Sequence, residues 1–186
     1  MNRITIHDIM LNNLDDLMGC QKADILYTDP PWGEGMLKYF RTHNGQINHA
    51  DNWMEFVRRL KFIKDRHVSG SAFIEIGNRN EADIREIFGY PQGRYIAKYK
   101  NGTSLVLGYG EQPLGNPNGK TGVSLVTEII STLPSRPKSV LDCCVGLGMT
   151  VKAAKKLGMK VYANELNLKR ATATMKIMQF AMVGSD

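Results

Sequence analysis

Cysteine is scarce in this sequence: Cys20, Cys143 and Cys144 are the only three in 186 residues, and two of them are adjacent. An odd number with a neighbouring pair is poor geometry for a structural bridge, and no CxxC or His/Cys spacing suggests a metal site. The three read as reduced thiols, with Cys143 and Cys144 near a strand end. No histidine is placed in sequence to make either an activated nucleophile. No apolar run approaches the ~20 residues that span a bilayer. The opening Met1-Asn2-Arg3-Ile4-Thr5-Ile6-His7-Asp8 lacks the charged-then-apolar pattern of a signal peptide. No membrane partner is therefore expected, and a cytoplasmic location is. Internal repeats, low-complexity tracts and Pro/Ser-rich linkers are also missing, so nothing marks a domain boundary.

What remains is the composition of an ordinary folded chain, 42% hydrophobic and 23% charged. The length suits one domain, 1–186, with a full core. The net charge of +6 allows phosphate binding without requiring it.

Strand and helix signals alternate along the chain. Ile4–Ile9 alternates as a strand does, and Asp24–Thr28 is a β-prone run stopped by prolines. Gly33–Asn52 is polar, carries three glycines and reads largely as loop. Trp53, Phe56, Val57, Leu60 and Ile63 recur at helical spacing. Ser71–Gly77 is a strand and Glu81–Phe88 a short helix. Arg94–Lys100 and Ser104–Gly110 form a hairpin turning at Asn101-Gly102. Val126, Ile129, Ile130 and Leu133 give the stripe of another helix, which stops before Pro134. Ser139–Cys143 is a buried strand, followed by a glycine turn and the helix Thr150–Leu157, capped by Gly158. Lys160–Asn164 is a strand, and Leu168–Met182 is the last helix, its Met stripe facing the core. This order predicts an α/β fold, a mostly parallel sheet with helices on both faces and an antiparallel hairpin at one edge.

Two segments carry chemistry. Val140 to Thr150 runs strand, glycine turn, helix, and brings backbone close to a ligand at the carboxyl end of a strand. The next strand ends at Asn164-Glu165, where a carboxylate can accept hydrogen bonds from both ribose hydroxyls. Val151 stands where the third small residue of a Rossmann glycine triplet belongs, which disfavours a nicotinamide cofactor. The second segment is Asp29-Pro30-Pro31-Trp32, directly after an apolar strand. The amino nitrogen of adenine or cytosine is a poor nucleophile because its lone pair is delocalised into the ring. A carboxylate and a proline-held carbonyl that each accept one N–H free that lone pair as attack begins, and the carboxylate gains most as charge develops on nitrogen. Trp32 offers a flat face for an extruded base.

These two segments, in this order, resemble the DPPY/DPPW amino-methyltransferases, which methylate N6 of adenine or N4 of cytosine. With the catalytic motif first and the cofactor turn near the end, the order resembles the permuted, beta class of DNA methyltransferases. Ile6-His7-Asp8-Ile9 and Leu14-Asp15-Asp16-Leu17 look like the family's opening strand and helix. Asn116-Pro117-Asn118-Gly119-Lys120 looks like its HPTQKP segment without the first His and last Pro. Asp142–Thr150 matches its DPFxGSGTT turn, with Leu147 and Met149 in place of Ser and Thr.

The resemblance implies a Rossmann-like methyltransferase fold with S-adenosylmethionine as methyl donor, a catalytic-motif half at 1–115 and a cofactor half at 116–186. Asp29, aided by the Pro30 carbonyl and by Pro31, would hold the amino group, and Trp32 would stack on the base. Asp8 would lie near the cofactor adenine and Glu165 would bind its ribose. Lys120, Asp142, Cys143, Gly146, Gly148 and Thr150 would surround the methionine end. Little length remains for a separate target-recognition domain, so target choice falls to the polar segment Gly33–Asn52, to a homodimer mate or a partner subunit, or is loose. Arg58, Arg59 and Lys61 are the candidate phosphate contacts, and no metal ligand is expected. The first expectation is methylation of N6 of adenine in DNA. The alternatives are N4 of cytosine, an RNA target or a non-catalytic subunit of a larger methyltransferase. A protein amide is disfavoured by Asp29 itself, since related sites there have Asn.

Overall fold

Successive side chains of a strand point to opposite faces, so a continuous apolar run such as Ile25–Tyr27, Ala72–Ile74 or Val140–Leu141 is buried on two faces at once. The computed structural model describes residues 1–45 and 52–178 and the backbone of 180–182. Its strands are β1 (Asn2–Thr5), β2 (Ile25–Thr28), β3 (Ala72–Gly77), β4 (Gly93–Tyr99), β5 (Gly102–Tyr109), β6 (Ser139–Asp142), β7 (Lys160–Asn164) and β8 (Phe180–Met182). They form one eight-stranded sheet in the order β4-β5-β3-β2-β6-β7-β1-β8. All pairings are parallel except β3–β5 and β4–β5.

The helices are α1 (Asp15–Met18), α2 (Glu34–His43), α3 (Trp53–His67), α4 (Glu81–Phe88), α5 (Gly122–Ser131), α6 (Met149–Lys156) and α7 (Leu168–Met175). On one face, Leu26, Ile74 and Leu141 pack with Val57, Leu60 and Ile63 of α3 and Ile84 of α4. On the other, Ile25, Tyr27, Phe73 and Val140 pack with Leu125 and Ile129 of α5 and Ala153 of α6. This is the α/β architecture with helices on both faces that the sequence predicts. None of the described helices is long and apolar enough to cross a membrane.

The strand order places the site. From β2 the chain steps outward to β3, and from β6 it steps the other way to β7, so the order reverses between β2 and β6. A crevice opens at such a switch point, at the carboxyl ends of the strands. The beginning of the chain completes the β6–β7 half, because β1 lies beside β7.

Four elements differ from expectation. The stretch read as loop after Trp32 contains helix α2, while its 46–51 part lies outside the described residues. Leu37 and Arg41 sit one helical turn apart and are buried, and that tertiary contact outweighs the glycines at Gly33 and Gly35. The last helix stops at Met175, and Phe180–Met182 pairs with β1 instead. The free edge of β1 offers unpaired backbone groups, which a β-prone segment satisfies better than a continued helix. The side chain of Met182 is outside the described residues. β1 ends at Thr5, since Asp8 turns the chain: its Oδ1 accepts from the Met10 N–H at 2.9 Å. The hairpin turns at Lys100-Asn101, with Gly102 already paired to Tyr99.

Gly35 gives a stability test. It lies in the exposed first turn of α2, and a Cβ there would meet nothing within 4 Å. Gly35→Ala should stabilise the fold by about 0.5–1 kcal/mol, through the smaller backbone entropy lost on folding. Denaturant unfolding checks this, and a lower midpoint would mean that the glycine serves something other than the helix.

Candidate active site

The carboxyl ends of β1, β2, β3, β6 and β7 surround one cavity of about 420 Å³. Asp29 follows β2 directly. Trp32 Nε1–H donates to its Oδ1 at 2.8 Å. On the other side Trp32 rests on the end of β3, where a Cβ on Gly77 would come within 3.1 Å of its Cε3. The ring is thus held by a hydrogen bond and a backbone, yet remains 37% exposed. A face is left free for a planar ligand. Gly77→Ala should therefore push the ring by a few tenths of an ångström, weaken binding of a stacked base and leave the thermal midpoint nearly unchanged. Base-dependent quenching of tryptophan fluorescence checks this, and unchanged quenching would break the link between Gly77 and Trp32.

Water reaches Asp29 from the cavity mouth, but water confined by low-dielectric walls solvates a charge less well than bulk does. Burial therefore pushes its carboxyl up to about 7, helped by the charges of Glu75 and Asp142 and opposed by the Trp32 hydrogen bond. Asp142, at the end of β6 and fully enclosed, is pushed up to about 6 by burial, against the pull of Thr150 and the Cys144 N–H.

The turn after β6 is built by hydrogen bonds. Asp142 Oδ1 accepts from the Cys144 N–H at 3.1 Å, and Glu165 Oε2 accepts from the Gly146 N–H at 2.7 Å. Gly146 and Gly148 have φ values of 53° and 76°, a region that favours glycine. Buried Asn164 ties three strand ends together. Its Oδ1 accepts from Thr5 Oγ1, and its Nδ2 donates to the carbonyls of His7 and Cys143. Asp8 faces Arg41 of α2 at 3.2 Å, with both side chains almost wholly buried. Helix α2 thereby spans from the Asp29 motif to the β1 loop.

The cavity brings together Asp29, Pro30, Pro31 and Trp32 with Asp8, Asp142, Cys143, Gly146, Thr150 and Glu165. Gly148 stands behind the turn, where a Cβ would strike Ile177 and Thr174 at 2.6 and 3.2 Å, so it serves close packing against α7 and Ile177 just beyond it. Lys120 does not reach the cavity, because its ammonium pairs with Glu128 at 2.8 Å. Nor do Arg58, Arg59 and Lys61 line it. They lie on α3, where Arg59 Nε donates to the Ile9 carbonyl at 2.7 Å and Lys61 pairs with Asp65.

Two features escape the sequence reading. Glu75 lines the cavity and accepts hydrogen bonds from Tyr27, Tyr99 and Ser104. Its signal is a lone carboxylate inside the apolar run Ala72-Phe73-Ile74-Glu75-Ile76. Met36, Phe40 and Arg41 of α2 also line the cavity, and their helical spacing is present in the sequence.

No family model and no curated protein matches the sequence. Solved structures share its fold. M1.HpyAVI in complex with SAM aligns with a TM-score of 0.68 at 17% identity, over 96% of this chain and 100% of that one. TTHA0409 from Thermus thermophilus, complexed with S-adenosyl-L-methionine, gives 0.61 at 14% identity, over 99% and 100%. PvuII DNA methyltransferase, cytosine-N4-specific, gives 0.64 at 10% identity, over 94% and 85%. At these identities the likeness is one of fold.

Proposed function

We propose that this chain transfers a methyl group from S-adenosylmethionine to an exocyclic amino group of a nucleic-acid base, with N6 of adenine in DNA as the first reading. The observation that carries it is that Asp29 and the Gly146–Glu165 turn line one cavity, an amino-group acceptor beside a nucleoside-type cradle. Two of the structurally similar chains are solved with the same cofactor, and one is a DNA methyltransferase.

The residues fit that cofactor. A Cβ on Gly146 would meet nothing nearer than the Cys144 carbonyl oxygen at 3.8 Å, so the space before the turn is open. His7 Nε2 at the cavity edge is buried without a hydrogen-bond partner among the described residues, which suits a polar atom of a ligand. Glu165 and Asp8 would hold the nucleoside end, and the backbone at Asp142, Cys143 and Gly146 the methionine end, beside Thr150. When bound, S-adenosylmethionine supplies an electrophilic methyl group. The chain's own part is to orient the amino nitrogen. Asp29 and the Pro30 carbonyl accept its two N–H groups, Pro31 holds the carbonyl's direction, and Trp32 stacks on the ring. As positive charge grows on nitrogen the Asp29 carboxylate binds it more strongly than in the ground state.

N4 of cytosine is the second reading, favoured by the cytosine specificity of the PvuII enzyme, whose fold this chain shares. On this reading target choice lies with the segment after Trp32, with a second copy or partner subunit, or is loose. Incubation with labelled cofactor and DNA or RNA, followed by mass spectrometry of the nucleosides, tests the proposal. N6-methyladenine in DNA is expected, N4-methylcytosine selects the second reading, and no label in either nucleic acid overturns both.

A further inference from the structure

Glu75 is a carboxylate at only 3% exposure in the middle of β3. A buried charge is costly unless hydrogen bonds replace the lost water, and an apolar residue of similar bulk is often the more stable choice. Here hydroxyls from three strands replace it. Tyr27 of β2 donates to Oε2 at 3.0 Å, while Ser104 of β5 and Tyr99 of β4 donate to Oε1 at 2.7 and 2.5 Å. Such donors stabilise the anion. The parallel register Thr28↔Ile74 carries the next residues of the two chains, Asp29 and Glu75, to neighbouring positions, and both line the cavity. Adjacent strands run ~4.8 Å apart, and matched residues point to the same side. Two carboxylates thus stand side by side, one saturated with donors and the other held, among the described residues, by Trp32 Nε1–H alone.

We propose that Glu75 is a positioning residue for the reaction at Asp29: a buried carboxylate whose charge makes the neighbouring Asp29 take up the proton that the amino group sheds on methylation. The inference rests on the function proposed above. A nitrogen that gains a carbon must lose a proton. The electrons of its N–H bond stay on nitrogen, the proton passes to the Asp29 carboxylate, and water at the cavity mouth removes it from the neutral acid. A carboxyl pushed up to about 7 is a better acceptor at neutral pH than an ordinary one. The groups that face Asp29 are Glu75 from β3, Asp142 and Cys144 from the end of β6, and Trp32 from its own loop. Tyr27 and Tyr99 commit their protons to Glu75.

The test is Glu75→Gln, read by carbon-13 NMR titration of the Asp29 carboxyl, identified by its loss in Asp29→Asn, and by the pH profile of kcat/KM. The Asp29 midpoint should fall by at least about one pH unit, as expected when a close like charge is removed, and the acid limb of the profile should move down with it. Glu75→Asp keeps the charge and should return the midpoint towards that of the wild type. Glu75→Leu carries the same expectation as the amide variant if the amide does not fold. A purely structural role would lower stability and leave the midpoint in place, and an unchanged midpoint overturns the inference. The titration needs no turnover, so it answers even if the chain methylates no base; methylation with an unmoved midpoint sinks the inference alone.

Discussion

Replacing Asp29 by alanine should lower methyl transfer by about a hundred- to a thousandfold, the scale of losing one group aimed at developing charge, with cofactor affinity little changed. The alanine keeps the proline-held carbonyl and the cavity but leaves the amino nitrogen with one acceptor instead of two. It also frees Trp32 Nε1–H, which donates to Asp29 Oδ1 in the native site. The loss should fall on kcat more than on KM, because the carboxylate gains most in the transition state. Single-turnover transfer of labelled methyl groups checks it, and unchanged labelling removes Asp29 from the mechanism.

Asp29 also links activity to stability. Its carboxyl is raised from 3.8 to about 7 in the folded chain, so the unfolded chain releases this proton first as pH rises. The stability this group confers is complete below about 3.8 and is lost as pH rises through about 7. Asp29→Asn has no such proton to lose. Its thermal midpoint should therefore gain on the wild type between pH 5 and pH 8, while activity falls. A wild type that gains on the variant over that range would refute the upward push on the Asp29 carboxyl.

The second large effect concerns Glu165. Its two oxygens accept from the Gly146 N–H at 2.7 Å and the Asn167 N–H at 3.0 Å, so one carboxylate holds both the turn and the start of α7. Glu165→Ala should weaken S-adenosylmethionine binding by about a hundredfold, since the ribose loses a charged acceptor, a bond worth about 1.5–3 kcal/mol, and the turn loses its tie to the end of β7. At a concentration one hundred times the wild-type Kd, the cofactor should stabilise the wild type by about 2.7 kcal/mol and the variant by about 0.4 kcal/mol. Calorimetric titration and thermal unfolding with the cofactor check both figures. Equal affinity in the two proteins would exclude Glu165 from the cofactor site.

Much of this site is legible from local chemistry. A β-prone run cut short by two prolines marks the end of β2, and a glycine turn between apolar strand and helix marks the end of β6. What local reading leaves open is the role of charge. Lys120, Arg58, Arg59 and Lys61 are basic residues in suggestive places, but none of them lines the cavity, and Glu128, Asp65 and the Ile9 carbonyl hold three of them. Long flexible side chains pair with whatever the fold brings near, and no spacing rule foretells that.

The sequence by itself determined the strand–helix alternation, the acceptor motif at Asp29-Pro30-Pro31-Trp32 and the turn at Gly146, because each is a matter of backbone preference over a few residues. Tertiary structure decided the rest. It set β2 beside β6, so that Asp29 and Asp142 share a cavity. It folded α2 from a glycine-containing stretch by burying Leu37 and Arg41, and it turned 180–182 into an edge strand by offering the open side of β1. Above all it put Glu75 next to Asp29, through a register that only the assembled sheet defines. The physical reason is common to all four: distant segments meet only when the sheet closes its pairings, and the field at a carboxylate depends on which groups then surround it.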